Sequence, residues 1–139
     1  MPGNPQIPEE RLVAIVDDDA SVRQSARRLI RSLGYQAEAF GSAEEFLDSG
    51  QATKTACLIL DVRMPRIDGL DLQRRLADSD PAIPIVFITA RASEDEERRA
   101  LRAGAVAFLR KPVDKEALLR VLGAVLEGSA GEGGSRDDD

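Results

Sequence analysis

The chain has 139 residues, enough for one domain with one core, and its 42% hydrophobic and 32% charged residues are those of an ordinary globular protein. A net charge of −6 argues against nucleic-acid binding by these residues, because neutralising phosphates needs clustered Lys and Arg. Histidine is absent, which excludes His metal ligands, His-activated nucleophiles and phosphohistidine, and leaves carboxylates, Lys, Arg and hydroxyls to carry any chemistry.

Residues 1–10 are polar and Pro-rich and read as a loose leader. The first strand is the apolar run Leu12 to Val16. A helix follows with Val22, Ala26, Leu29, Ile30 and Leu33 on one face and a stop at Gly34. Tyr35 to Phe40 reads as a second strand, alternating rather than continuously apolar. The second helix opens with Ser42 and Glu45 at capping-box spacing. Ala56 to Leu60 is the third strand, and a helix from about Leu70 to Ala77 ends before Asp80-Pro81. The fourth strand is Ile85 to Thr89. Its helix carries a second capping box, Ser93 with Glu96, and stops at Gly104. Val106 to Leu109 is the fifth strand, and Leu118, Leu122 and Val125 mark the fifth helix. Residues 128–139 are Gly/Ser-rich and then acidic, which reads as a disordered tail or linker, so the folded domain is expected over 11–127.

Short apolar strands alternating with helices predict an α/β fold, a doubly wound five-stranded parallel sheet with helices on both faces. Such sheets bind ligands beyond the carboxyl ends of their strands, where the strand order reverses. In the order 2-1-3-4-5 the first and third strands are neighbours at that point.

The residues at the strand ends carry the chemistry. The first strand ends in Asp17, Asp18 and Asp19, the third in Asp61, the fourth in Thr89, and the fifth runs into Lys111-Pro112. Asp17, Asp18 and Asp61 would converge, at a repulsion of roughly 4 kcal/mol per pair at about 4 Å and an effective dielectric of about 20. A hard divalent cation with oxygen ligands offsets that, and Mg²⁺ suits a site of two or three protein oxygens plus water. Asp61 could then serve as an oxygen nucleophile in phosphoryl transfer, with Lys111 and the Thr89 hydroxyl on the phosphoryl oxygens. Taken singly, these residues have plainer readings: Asp19 as a helix cap, Thr89 as an ordinary strand end, Lys111 as a solvated lysine. Four strand ends matching in order are hard to reach by accident. A flavin-mononucleotide carrier is disfavoured by acids where a phosphate loop would stand. The single Cys57 lies in an apolar run, reads as a small core residue and permits no intramolecular disulfide. No apolar run reaches the roughly 18 residues of a membrane span and no signal-peptide pattern opens the chain, so a cytoplasmic location is expected.

From Leu12 to Leu126 the chain resembles the receiver domains of two-component response regulators, which are CheY-like in fold. The resemblance rests on IVDDD, LILDVRMPRIDG with Pro65 and Gly69 at the family's spacing after Asp61, FITA at Thr89, and AFLRKP. The wording AGAVAFLRKP is most similar to FixJ-type receivers, which usually precede a helix-turn-helix DNA-binding domain. The resemblance implies Asp61 as phosphoacceptor, with a histidine kinase as phosphodonor. It implies Asp17 and Asp18 as the acidic pair, and Asp18, Asp61 and the Arg63 backbone carbonyl as direct Mg²⁺ ligands. It further implies Thr89 and Lys111, with a backbone N–H near Val62, on the phosphoryl group, Phe108 as the switch aromatic, and a cis bond before Pro112. On phosphorylation Thr89 would move toward the phosphoryl group and Phe108 rotate, biasing the face of the fourth helix, fifth strand and fifth helix toward dimerisation and control of an output, transcriptional in the FixJ type. Turnover of an external substrate is not implied.

The sequence departs from such receivers after Thr89, where Ala90-Arg91-Ala92-Ser93 replaces a Gly-rich stretch with a histidine. Arg63 and Arg91 each lie two residues beyond a site residue, and either flank the phosphoryl group and slow its hydrolysis or are solvated. Two rivals remain at this level. Asp17-x-Asp19-x-Ser21 loosely matches haloacid-dehalogenase-type phosphatases with Asp17 as nucleophile, though after Lys111 only Asp114 is available for the acids that family needs. A receiver-shaped module that takes no phosphate is the other.

Overall fold

The computed structural model describes residues 12–78 and 82–127; the expected leader, the expected tail and Asp80-Pro81 lie outside them. Five parallel strands form one sheet in the order β2-β1-β3-β4-β5: β1 (Leu12–Val16), β2 (Gln36–Phe40), β3 (Thr55–Leu60), β4 (Ile85–Thr89) and β5 (Ala107–Arg110). Between and after them run α1 (Ala20–Ser32), α2 (Ala43–Ser49), α3 (Gly69–Ala77), α4 (Glu94–Arg102) and α5 (Lys115–Leu122). This is the fold that the alternating pattern predicts.

Alternate residues of the central strands face two separate cores. Ala14, Val16, Leu58, Leu60 and Phe87 pack with Phe46, Leu72, Leu76 and Ala100 of α2, α3 and α4. Val13, Ile15, Cys57, Ile59, Val86 and Ile88 pack with Ile30 of α1 and Leu118 and Leu122 of α5. β1 and β4 are buried at every position, which is why they read as continuous apolar runs. β2 is an edge strand, and its exposed Gln36 and Glu38 account for its alternation.

Several boundaries differ from expectation for identifiable reasons. Tyr35 lies outside β2 and closes the C-terminal cap of α1. Its N–H bonds Ile30 O at 3.4 Å while that of Gly34, at φ +97°, bonds Arg31 O at 3.0 Å, the two bonds of a Schellman cap. β5 begins and ends one residue later than expected, because it runs in register with β4 as far as Thr89 opposite Arg110. β3 gains Thr55, which is buried opposite Leu12. Ser42 caps α2 by accepting from Glu45 N, but the Glu45 carboxylate accepts from Gly41 N at 2.6 Å rather than from Ser42, so the box is shifted by one residue. The box of α4 is complete. Beyond α5 the chain continues in a π-helical turn, Gly123–Glu127, and Leu126 takes the buried place while Val125 is half-buried.

Candidate functional site

Each strand delivers its last residue to one end of the sheet. Asp17 follows β1, and its N–H extends the β1–β2 pairing by bonding Phe40 O at 3.2 Å. Its Oδ1 accepts from Asp19 N at 2.9 Å, and its carbonyl accepts from Arg23 Nη1 at 2.8 Å. Asp19 caps α1 by accepting from the N–H groups of Ser21 and Val22, as its position in the sequence suggested. Asp61 follows β3; its N–H bonds Val16 O at 3.1 Å and its Oδ1 accepts from Arg63 N at 3.2 Å. Oxygens of Asp17, Asp18 and Asp61 all lie within 4.8 Å of one another, with Asp17 and Asp61 buried and Asp18 exposed.

Lys111 reaches this cluster from the far side of the sheet. Its N–H bonds Thr89 O at 2.9 Å, and the Lys111–Pro112 peptide is cis. Nζ donates to Asp17 Oδ2 at 2.9 Å and to Asp61 Oδ2 at 3.2 Å. Two of the three carboxylates thus bond one ammonium. Burial raises the Asp17 carboxyl above its ordinary value; the Asp19 N–H and Lys111 oppose the rise, and the Asp61 charge adds to it. Burial acts against the Lys111 ammonium too, yet the bonds and charges of Asp17 and Asp61 outweigh it and hold its pKa above the ordinary value.

The remaining predicted residues lie on β4 and β5 and in the loops that follow the strands. Thr89 is fully buried, and its hydroxyl donates to Arg91 O at 3.0 Å and accepts from Arg91 N at 3.3 Å. Phe108 is half-buried, its ring 5.7 Å from that of Phe87 and 5.5 Å from the Arg110 guanidinium. Arg63, its side chain 55% accessible, pairs with Glu96 of α4 at 2.8 Å. Asp114 caps α5 by accepting from Glu116 N and lies in the exposed turn after Pro112.

Two further residues matter here to which the sequence reading gave no structural role. Arg110 donates to Ala92 O at 2.9 Å and to Glu97 at 2.8 Å, tying β5 to the start of α4. Only its place beside Lys111 hinted at a role. Gly69 was noted for its spacing alone; its Cα lies so close to the Asp61 carbonyl that a Cβ there would collide with the carbonyl oxygen.

A family model described as "Response regulator receiver domain" matches residues 13–123. The chain belongs to the response regulator receiver domains. It is 42% identical over 125 residues to nodulation protein W of Bradyrhizobium diazoefficiens, covering 90% of this chain and 55% of that protein. The crystal structure of a response regulator receiver protein from Burkholderia phymatum is 46% identical with a TM-score of 0.73, covering 84% of this chain and 95% of that one. A structure titled FixJ-N is 31% identical with a TM-score of 0.75, covering 84% and 94% of the two chains. The receiver therefore spans about half the length of the curated relatives it matches. None of its described helices is long and apolar enough to cross a membrane.

Proposed function

We propose that this receiver is a phosphorylation switch that accepts a phosphoryl group on Asp61 from a histidine kinase. The observation that carries this reading is the Asp61 carboxylate itself: buried, 3.2 Å from the Lys111 ammonium, and in one cluster with Asp17 and Asp18. An Asp61 oxygen attacks phosphorus, the bond to the donor breaks, and the donor leaves with its electron pair. Lys111 balances charge gathering on the phosphoryl oxygens, and N–H groups of the loop after Asp61 are available to the same oxygens.

The cluster fits Mg²⁺, because its donors are hard carboxylate oxygens and one ammonium leaves their charge uncompensated. Asp18, Asp61 and the Arg63 carbonyl would hold the ion, with Asp17 beside them. When bound, it would neutralise charge on the phosphoryl oxygens during transfer.

The switch itself runs through Thr89 and Phe108. To reach a phosphoryl group the Thr89 hydroxyl must give up its bonds to Arg91. Phe108 is partly exposed at the other end of the same step. Leu101 of α4, Val106 before β5 and Leu119 of α5 are exposed large apolar residues, 43%, 46% and 37% accessible, and they suit a dimer face on α4, β5 and α5. The receiver unit spans 11–127, 128–139 is a tail or linker, and the output it controls is transcriptional by the FixJ resemblance.

The test is intact mass after incubation with Mg²⁺ and a small acyl phosphate. A single phosphoryl adduct on the wild type, absent from Asp61→Asn, is the expected result. No adduct where a control receiver labels would point to a phosphate-independent module. An adduct that survives Asp61→Asn but is lost in Asp17→Asn would move the nucleophile to Asp17.

A further inference from the structure

Arg63 stands two residues past Asp61 and shares with Asp18 the lining of an opening of about 340 Å³ beside the carboxylates. Apart from Asp68, which lines the same opening and caps α3 by accepting from Asp71 N, a guanidinium placed there has two anionic destinations. One is the carboxylate cluster, where among the described residues Lys111 is the paired cation. The other is Glu96 in the first turn of α4, and the structure takes it, with Nη2 at 2.8 Å from Glu96 Oε1.

Glu96 is itself held in place. The same Oε1 accepts from Ser93 N at 2.9 Å, closing the capping box, and the Glu96 side chain is 16% accessible. The Arg63 side chain is 55% accessible, so the pair contributes little to stability. Its consequence is positional. A guanidinium turned into the cluster would be a tethered cation competing with a divalent ion for the same carboxylate oxygens.

We infer that Glu96 is a positioning residue that parks the Arg63 guanidinium outside the carboxylate cluster and so keeps Asp18 and Asp61 open to a divalent cation. This rests on the proposed function, in which that cluster holds Mg²⁺. The coupling is reciprocal: a cation in the cluster lessens the pull on Arg63 and strengthens its attachment to Glu96, and so the seating of α4 against the end of β3.

The test is the Mg²⁺ dissociation constant, measured by NMR titration of the whole chain as wild type, Glu96→Gln, Arg63→Ala and the double variant, with phosphoryl labelling of Asp61 followed on the same samples. Glutamine retains an oxygen for Ser93 N and loses the ion pair, so the helix cap survives. Glu96→Gln is expected to bind Mg²⁺ about 3-fold more weakly, the size of one exposed ion pair, with the loss shrinking as salt rises. Arg63→Ala should bind at least as tightly as wild type, and Glu96→Gln should add no loss to it. Equal affinity in wild type and Glu96→Gln, with labelling intact, overturns the parking role alone. A loss that persists in the double variant overturns it too, because it then does not act through Arg63. No saturable Mg²⁺ binding by the wild type overturns both readings.

Discussion

The Lys111 ammonium donates to Asp17 at 2.9 Å, tying the end of β5 to the end of β1 across β3 and β4. Its contact with Asp61, at 3.2 Å, is the longer of the two. The lysine is thus as much a keystone of the acidic cluster as a partner for a phosphoryl group. Lys111→Met leaves the buried Asp17 and Asp61 facing each other without a cation. Without divalent ions it should cost about 2 kcal/mol, below the usual cost of breaking a buried pair because Asp18 opens the site to water. Mg²⁺ should recover part of that loss. Urea unfolding with and without Mg²⁺ measures both, and a loss indifferent to Mg²⁺ would mean that packing of the lysine stem, not charge, is what matters.

Thr89 has no free donor in this state, because its hydroxyl proton goes to Arg91 O while its oxygen accepts from Arg91 N. Thr89→Ala should lose about 1 kcal/mol of stability for the hydrogen bonds. It should still label at Asp61, yet show no change in hydrogen exchange at α4 and β5 on phosphorylation. Thr89→Ser keeps the hydroxyl and should restore that response. A normal response in Thr89→Ala would remove Thr89 from the switch.

A Cβ at Gly69 would stand 3.0 Å from both the Asp61 carbonyl carbon and Phe87 Cε1, and closer still to the carbonyl oxygen. Both neighbours are fixed, one as backbone at the site and one as core. Gly69→Ala should therefore cost about 3 kcal/mol and lower labelling of Asp61 by shifting its backbone. Thermal unfolding together with intact mass reads the two effects, and a variant of wild-type stability would show that the loop simply yields.

The fold was legible because β1, β3 and β4 are buried on both faces and so appear as apolar runs, and because Gly34 and Gly104 mark helix ends through their left-handed conformations. The clustering of Asp17, Asp18 and Asp61 followed from strand order alone, before any likeness was invoked. What escaped were contacts set by side-chain reach. Nothing in the spacing of Arg63 and Glu96, 33 residues apart, says that they meet, or that Arg110 grips Glu97. The shifted box at Glu45 escaped for the same reason, since Gly41 N and Ser42 N compete for one flexible carboxylate.

Cys57 sits in the α1/α5 core, and burial pushes its thiol up to about 12. It should resist a disulfide-exchange reagent in the folded protein and react only as the domain opens. The labelling rate should therefore rise with urea in step with global unfolding. Fast reaction under native conditions would reveal local opening of β3.

The raised pKa of Asp17 sets the direction of a pH effect. In the folded protein burial lifts it above its ordinary value of 3.8, so between the two values the native state binds more protons than the unfolded chain. Stability from this group therefore increases as pH falls through that window, and the ionised carboxylate is a cost at neutral pH. Asp17→Asn removes the proton but not the shape. With a chelator present, the stability of Asp17→Asn minus that of wild type should fall as pH drops from neutrality toward the ordinary Asp17 value of 3.8, measured by urea unfolding. Lys111 does not confuse the comparison, because its raised pKa keeps it charged throughout. The Asp61 charge contributes to the rise, so the same slope should be shallower in an Asp61→Asn background. A difference that grows toward acid would mean that the bond to Lys111 outweighs burial and that Asp17 titrates below the ordinary range.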